Sequence, residues 1–164
     1  MIVLIDPVID YTVRALCLQP YPLHPNGCPN VGHCDRCPPT APLYDEYFDL
    51  SYPTYAVINE FDFKSHVEKM KLKHPTWSER QLKCVLYWQG SARKQLNKEV
   101  EKWLKYPMCG GFESTKCPEG MGVDVTETLK RVGIELEWPV ERIARQVVFL
   151  GVPLSNNKIM KDFF

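Results

Sequence analysis

The residues of this chain best suited to chemistry are its cysteines, and six of the seven lie in two clusters. Cys17, Cys28, Cys34 and Cys37 fall within CLQPYPLHPNGCPNVGHCDRCPP, and Cys109 and Cys117 within YPMCGGFESTKCPEG. A thiolate is a soft, strong ligand, and Pro- and Gly-rich loops can fold it around a metal. Cys34 and Cys37 leave a two-residue gap, which suits two ligands on one ion. Eight residues separate Cys28 from Cys37, and seven separate Cys109 from Cys117. Such wide gaps suit an iron–sulfur cluster, whose ligands arrive from scattered loops. A zinc ribbon has two C-x-x-C knuckles and only one is present, so zinc on four thiolates is the alternative. Pro38 and Pro39 stiffen the loop behind Cys37. His24 and His33 flank the cluster as weaker candidate donors. Cys84, in ERQLKCVLYW, reads as a small buried hydrophobe apart from the others.

The elements that position these cysteines predict an α/β fold: a small central sheet with helices and a long Cys/Pro-rich loop over residues 17–54. Ile2 to Ile5 reads as a first strand and Tyr55 to Asn59 as a short buried one. A helical region spans 63–106. Its first helix runs from Phe63 to Lys73, where Pro75 stops it. A second starts near Trp77 behind a Thr76/Glu79 capping box and turns Leu82, Val85, Leu86 and Trp88 inward, with Gly90 as a bend. The apolar stripe continues through Leu96, Val100, Trp103 and Leu104 to about Tyr106. A second cysteine loop covers 107–120. Asp124 caps a helix that stops at Gly133. Residues 140–146 read as a short helix and Val147 to Val152 as the last strand.

A chain of 164 residues, 45% apolar and 24% charged, suits one domain with a real core. No apolar run approaches the roughly 18 residues of a membrane span, and MIVLIDPVID lacks the features of a signal peptide. The expected location is the cytoplasm, where thiols stay reduced. No phosphate loop, serine elbow or zinc-protease motif is present, and no catalytic residue is assigned.

Charge is uneven although the formal net charge is zero. Residues 64–105 hold eleven Lys and Arg against four Glu, and residues 35–62 hold one Arg against six acids. Lys94, Lys98 and Lys102 recur every four residues, so they share one helical face. That face is either simply solvated or a docking stripe for nucleic acid or a protein partner. Asp45, Glu46 and Asp49 form an acidic patch beside Tyr44 and Tyr47.

Two stretches carry a family resemblance. CPNVGHCDRCPP (Cys28 to Pro39) and STKCPEGMGVDVTETLKRVG (from Ser114) resemble, in this order, the two signatures of a small family of cysteine-rich predicted metal-binding proteins of unknown function. Val31 stands where that family has an aromatic residue, and Pro25 where it often has a further cysteine. The resemblance implies a cluster, of the 4Fe–4S type, held by Cys28, Cys37 and Cys117, with Cys17 taking the place of the missing cysteine. Cys109 has a weaker counterpart in the family, and Cys34 is extra to its pattern. Two functions follow as expectations. In one, the chain is an iron–sulfur protein with a redox or sulfur-handling role, and Arg36 and Lys116 orient an anionic substrate. In the other, zinc stabilises a binding module whose basic helices dock on a partner.

Overall fold

The computed structural model describes residues 1–20, 25–28, 31–32, 37–107 and 110–155. Its centre is an antiparallel sheet of four strands, ordered β1-β2-β4-β3. β1 is Ile2–Ile5, β2 Thr54–Asp62, β3 Glu113–Thr115 and β4 Ile143–Gly151. The long central pair, β2 and β4, runs in register from Tyr55 opposite Leu150 to Asp62 opposite Ile143. Both faces of this pair are covered, which explains why YAVIN and VVFL read as unbroken apolar runs. One face carries Ala56, Ile58 and Phe149 into a core with Tyr44, Phe48, Met121, Val123 and Leu129. The other carries Val57, Val148 and Leu150 against Leu96 and Val100. The expected mixed α/β architecture is therefore present.

The helices are α1 (Tyr44–Tyr47), α2 (Phe63–Lys73), α3 (Glu79–Leu82), α4 (Gln89–Leu104) and α5 (Val125–Arg131). The capped ends behave as expected. Asp62 accepts from the amide of Ser65 at the start of α2, and Asp124 accepts from that of Glu127 at the start of α5. Gly133, with φ of +77°, ends the last helix in the left-handed region that glycine tolerates. Among the described residues, no helix is long and apolar enough to cross a membrane.

Four expectations need correction. The helix near Trp77 is short, and its cap is Ser78 with Gln81 rather than Thr76 with Glu79. The chain then breaks through a 3-10 turn, Val85–Tyr87, and restarts at Gln89, so Gly90 is not the break. The restart resets the helical phase: Trp88, Ala92, Leu96 and Val100 now share the inner side. Val85 and Leu86 point outward instead, Leu86 with 84% of its surface in solvent. Residues 140–146 are not a helix; β4 begins at Ile143. The Glu137 carboxylate accepts from the amides of Glu141 and Arg142, which turns the chain, and Arg145 pairs across the ladder with Glu60 at 2.7 Å. The second strand is also longer than YAVIN, because Glu60, Phe61 and Asp62 continue the ladder.

Candidate metal centre

A further correction concerns Cys17. It does not open a loop but sits near the end of a 3-10 helix, Tyr11–Leu18, capped by Asp10, whose carboxylate accepts from the amide of Thr12. That helix is placed by the chain on either side of it. Residues 8–10 bridge to 122–124: Asp124 N–H donates to Val8 C=O, Asp10 N–H to Gly122 C=O, and Val8 N–H to Thr128 Oγ1, at 2.8, 2.8 and 2.9 Å. The result sets the helix carrying Cys17 beside the turn Glu119–Met121, which follows Cys117 and the fully buried Pro118. Gly122 makes the approach possible. A Cβ there would lie 2.7 Å from Cδ1 of Tyr11, and its φ of +90° is one that other residues rarely adopt.

The other cysteine segments dock on the same helix. Cys28 N–H donates to Cys17 C=O at 2.8 Å. Gly27, just before it, has φ of +80°, and a Cβ would fall 2.7 Å from the Cys17 carbonyl oxygen. Arg14, on the helix, donates to the carbonyls of Ala41 and Pro39 at 2.9 and 3.3 Å. Ala41 N–H in turn bonds to Cys37 C=O. Tyr11 Oη donates to the Asp45 carboxylate at 2.6 Å, so that part of the acidic patch has a structural task. Arg14, Gly27 and Gly122 carry this assembly; Gly122 lies within the STKCPEGMGVDVTETLKRVG stretch without being singled out there, and Arg14 and Gly27 belong to no recognisable motif.

Cys17 also feels its neighbours electrostatically. Burial pushes the Cys17 thiol up from its ordinary value; the Cys28 sulfur and then Glu119 push the same way, and Arg14 opposes them. Glu119 itself is raised, first by the desolvation of its crowded carboxyl, although the residue as a whole keeps an exposed surface. A protonated Cys17 thiol must lose its proton before it can ligate a metal.

No family model, curated protein or solved structure matches this chain. The test of the site therefore rests on its donors. Cys17 and Cys28, both half-buried thiols, fit two corners of a thiolate site. Cys37 and Cys117 lie on segments docked on or beside the same helix. Among the described residues, no three Cys, His, Asp or Glu side chains are grouped closely enough to hold an ion. Cys34, Cys109, His24, His33 and Arg36 lie outside the described residues. Cys84 stands at the start of the Val85–Tyr87 turn, half-buried rather than buried.

The second candidate surface is plainer. Lys94, Lys98 and Lys102 are all exposed on α4, and none pairs with a carboxylate among the described residues. Lys102 Nζ lies 5.9 Å from the centre of the Trp103 ring.

Proposed function

We propose that this chain is a metal-binding protein with a redox or sulfur-handling role in a reducing cytoplasm: Cys17 and Cys28 begin a site for an iron–sulfur cluster of the 4Fe–4S type, and Cys37 and Cys117 would complete it on binding, although no three of these thiols are grouped in this structure. The observation that carries the reading is the Cys17–Cys28 pair, set side by side by a main-chain hydrogen bond that only a glycine at position 27 accommodates. The resemblance over CPNVGHCDRCPP and STKCPEGMGVDVTETLKRVG supports the choice of cluster over zinc. A bound cluster would supply one-electron transfer or, with three thiolate ligands, an open iron for a substrate sulfur. The chain's own part is to bring thiols together, to desolvate Cys17, and to place the Arg14 cation beside it.

Anaerobic purification followed by iron, zinc and acid-labile sulfide analysis tests the reading. Brown protein with iron and sulfide is expected, and Cys17→Ser and Cys28→Ser should each lose most of both. Colourless protein with one zinc would support the alternative of a zinc-stabilised binding module. The lysine stripe on α4, unpaired among the described residues, favours docking on nucleic acid in that case. Changing Lys94, Lys98 and Lys102 together to Ala should then weaken RNA or DNA binding and lower the log–log salt slope by roughly one unit per lost phosphate contact.

A further inference from the structure

The main-chain bond between Cys17 and Cys28 limits how far apart their side chains can start. The amide of Cys28 donates to the carbonyl of Cys17 at 2.8 Å. Standard bond lengths on either side of that bridge hold the two Cα atoms no more than about 6 Å apart. Disulfides span Cα separations of about 4.4–6.8 Å, so this pair stands within range. Gly27 permits the approach, since a Cβ there would lie 2.7 Å from the Cys17 carbonyl oxygen. Both residues are half-buried free thiols. Burial favours the protonated Cys17 thiol, the Cys28 sulfur and Glu119 add to it, and Arg14 on the same helix opposes them by favouring the thiolate. Among the described residues, no third Cys, His, Asp or Glu is grouped with the pair closely enough to hold an ion. Without a metal, the two residues are a dithiol.

We propose that Cys17 and Cys28 of the metal-free chain close into an intramolecular disulfide when they meet an oxidised low-molecular-weight thiol, RSSR, of the glutathione class. The thiolate of one cysteine attacks RSSR, forms a mixed disulfide and releases RS⁻. The thiolate of the other attacks the protein sulfur of that mixed disulfide and expels the second RS⁻. The two cysteines give up two protons and two electrons, and RSSR leaves as two RSH. The new bond reinforces the single amide clip that joins Cys28 to the 3-10 helix Tyr11–Leu18. It also occupies both sulfurs and so excludes a metal from them. That last consequence rests on the reading of Cys17 and Cys28 as ligands, whereas the disulfide itself does not.

The test uses the full chain, chelated and reduced, then equilibrated with mixtures of reduced and oxidised glutathione and trapped by alkylation. Chymotrypsin cuts between the two cysteines, after Leu18 and Leu23, so mass spectrometry of the fragments assigns the pairing. One Cys17–Cys28 bond per chain is expected, independent of protein concentration. At a fixed glutathione ratio, the disulfide-to-dithiol ratio should be about tenfold or more higher in native protein than in denaturing urea, because only the folded chain holds the pair together. Gly27→Ala should lower the native ratio by about tenfold, since it forces the two segments apart. The proposal is overturned if Cys17 or Cys28 pairs with a different cysteine, if both stay reduced in native protein at a ratio that oxidises them in urea, or if urea leaves their ratio unchanged. Iron and sulfide in the protein as purified report separately on the cluster reading. A disulfide in a chain that never carries iron sinks that reading alone, and iron without the disulfide sinks this one alone.

Discussion

Around β4 and α4 the chain is held by burial. Phe149, Val148, Leu150, Val57 and Leu96 are almost wholly enclosed, and the β2–β4 ladder runs unbroken beneath them. Around the 3-10 helix Tyr11–Leu18 it is held by single polar clips: one amide from Cys28, two carbonyls on Arg14, one carboxylate on Tyr11. Val13 is the one residue of that helix that is buried. Apolar burial spreads its free energy over many neighbours and makes a region melt as a unit. A clip contributes about 1 kcal/mol and can open alone. Cys17, Cys28 and Cys37 lie in the clipped region, where ordering by a bound ion would count most.

The comparison can be broken most forcefully at Phe149. Phe149→Ala leaves a cavity against Tyr44 and Ile58 and should cost about 3–5 kcal/mol. Denaturant unfolding followed by circular dichroism should show one transition moved to lower denaturant. If only the cysteine region responded, the division into burial and clips would be wrong. Gly27→Ala comes next. It strains a backbone at φ of +80° and drives a methyl group into the Cys17 carbonyl, at a cost of about 1–3 kcal/mol. Here the expected signature is local: faster proteolysis within 17–41, little change in the global midpoint, and loss of bound metal. Asp124→Ala removes the cap of α5 and should cost about 1 kcal/mol, read as a shift of the same global transition.

The smallest effect sharpens the comparison through pH. Cys17 has a folded-state pKa raised above its ordinary value of 9.0, first by burial. The folded chain thus holds this proton more tightly than the unfolded chain. The stability it contributes is full below about 9 and is lost as pH rises through the higher folded value. Metal-free protein should therefore weaken slightly above pH 9, and Cys17→Ser should remove that part of the decline. Metal affinity should move the other way and climb with pH, since each ligating thiol must release its proton.

Much of the fold could be read directly. Ile2–Ile5 and Phe63–Lys73 match the residues expected, because each is a short periodic run with a clear stop. Asp124 and Gly133 announce α5 at both ends. The errors have a common cause. Local spacing misplaces Val85, Leu86 and residues 140–146 because a distant partner decides them: Phe61 and Phe63 seat Trp88, and Glu60 pairs with Arg145. The candidate site was legible in its ligands alone. Arg14 acts through side-chain bonds to the carbonyls of Pro39 and Ala41, Gly27 through its close approach to the Cys17 carbonyl and Gly122 through its approach to Tyr11, and no spacing rule encodes those contacts.

The bridge between residues 8–10 and 122–124 also imposes an order in time. Val8 and Thr128 are 120 positions apart, and the helix bearing Cys17 has no platform until both have emerged. At a synthesis rate of about 5–20 residues per second, Cys17 waits on the order of ten seconds before its docking surface exists. β2 likewise waits for β4, its long partner, over a somewhat shorter stretch of chain. During that interval the first cysteines are exposed thiols on an unfolded nascent chain, open to oxidation or to the wrong ion. A cofactor of the kind proposed above would therefore be best delivered after release from the ribosome, and insertion into the finished fold, rather than capture during translation, is the route this connectivity favours.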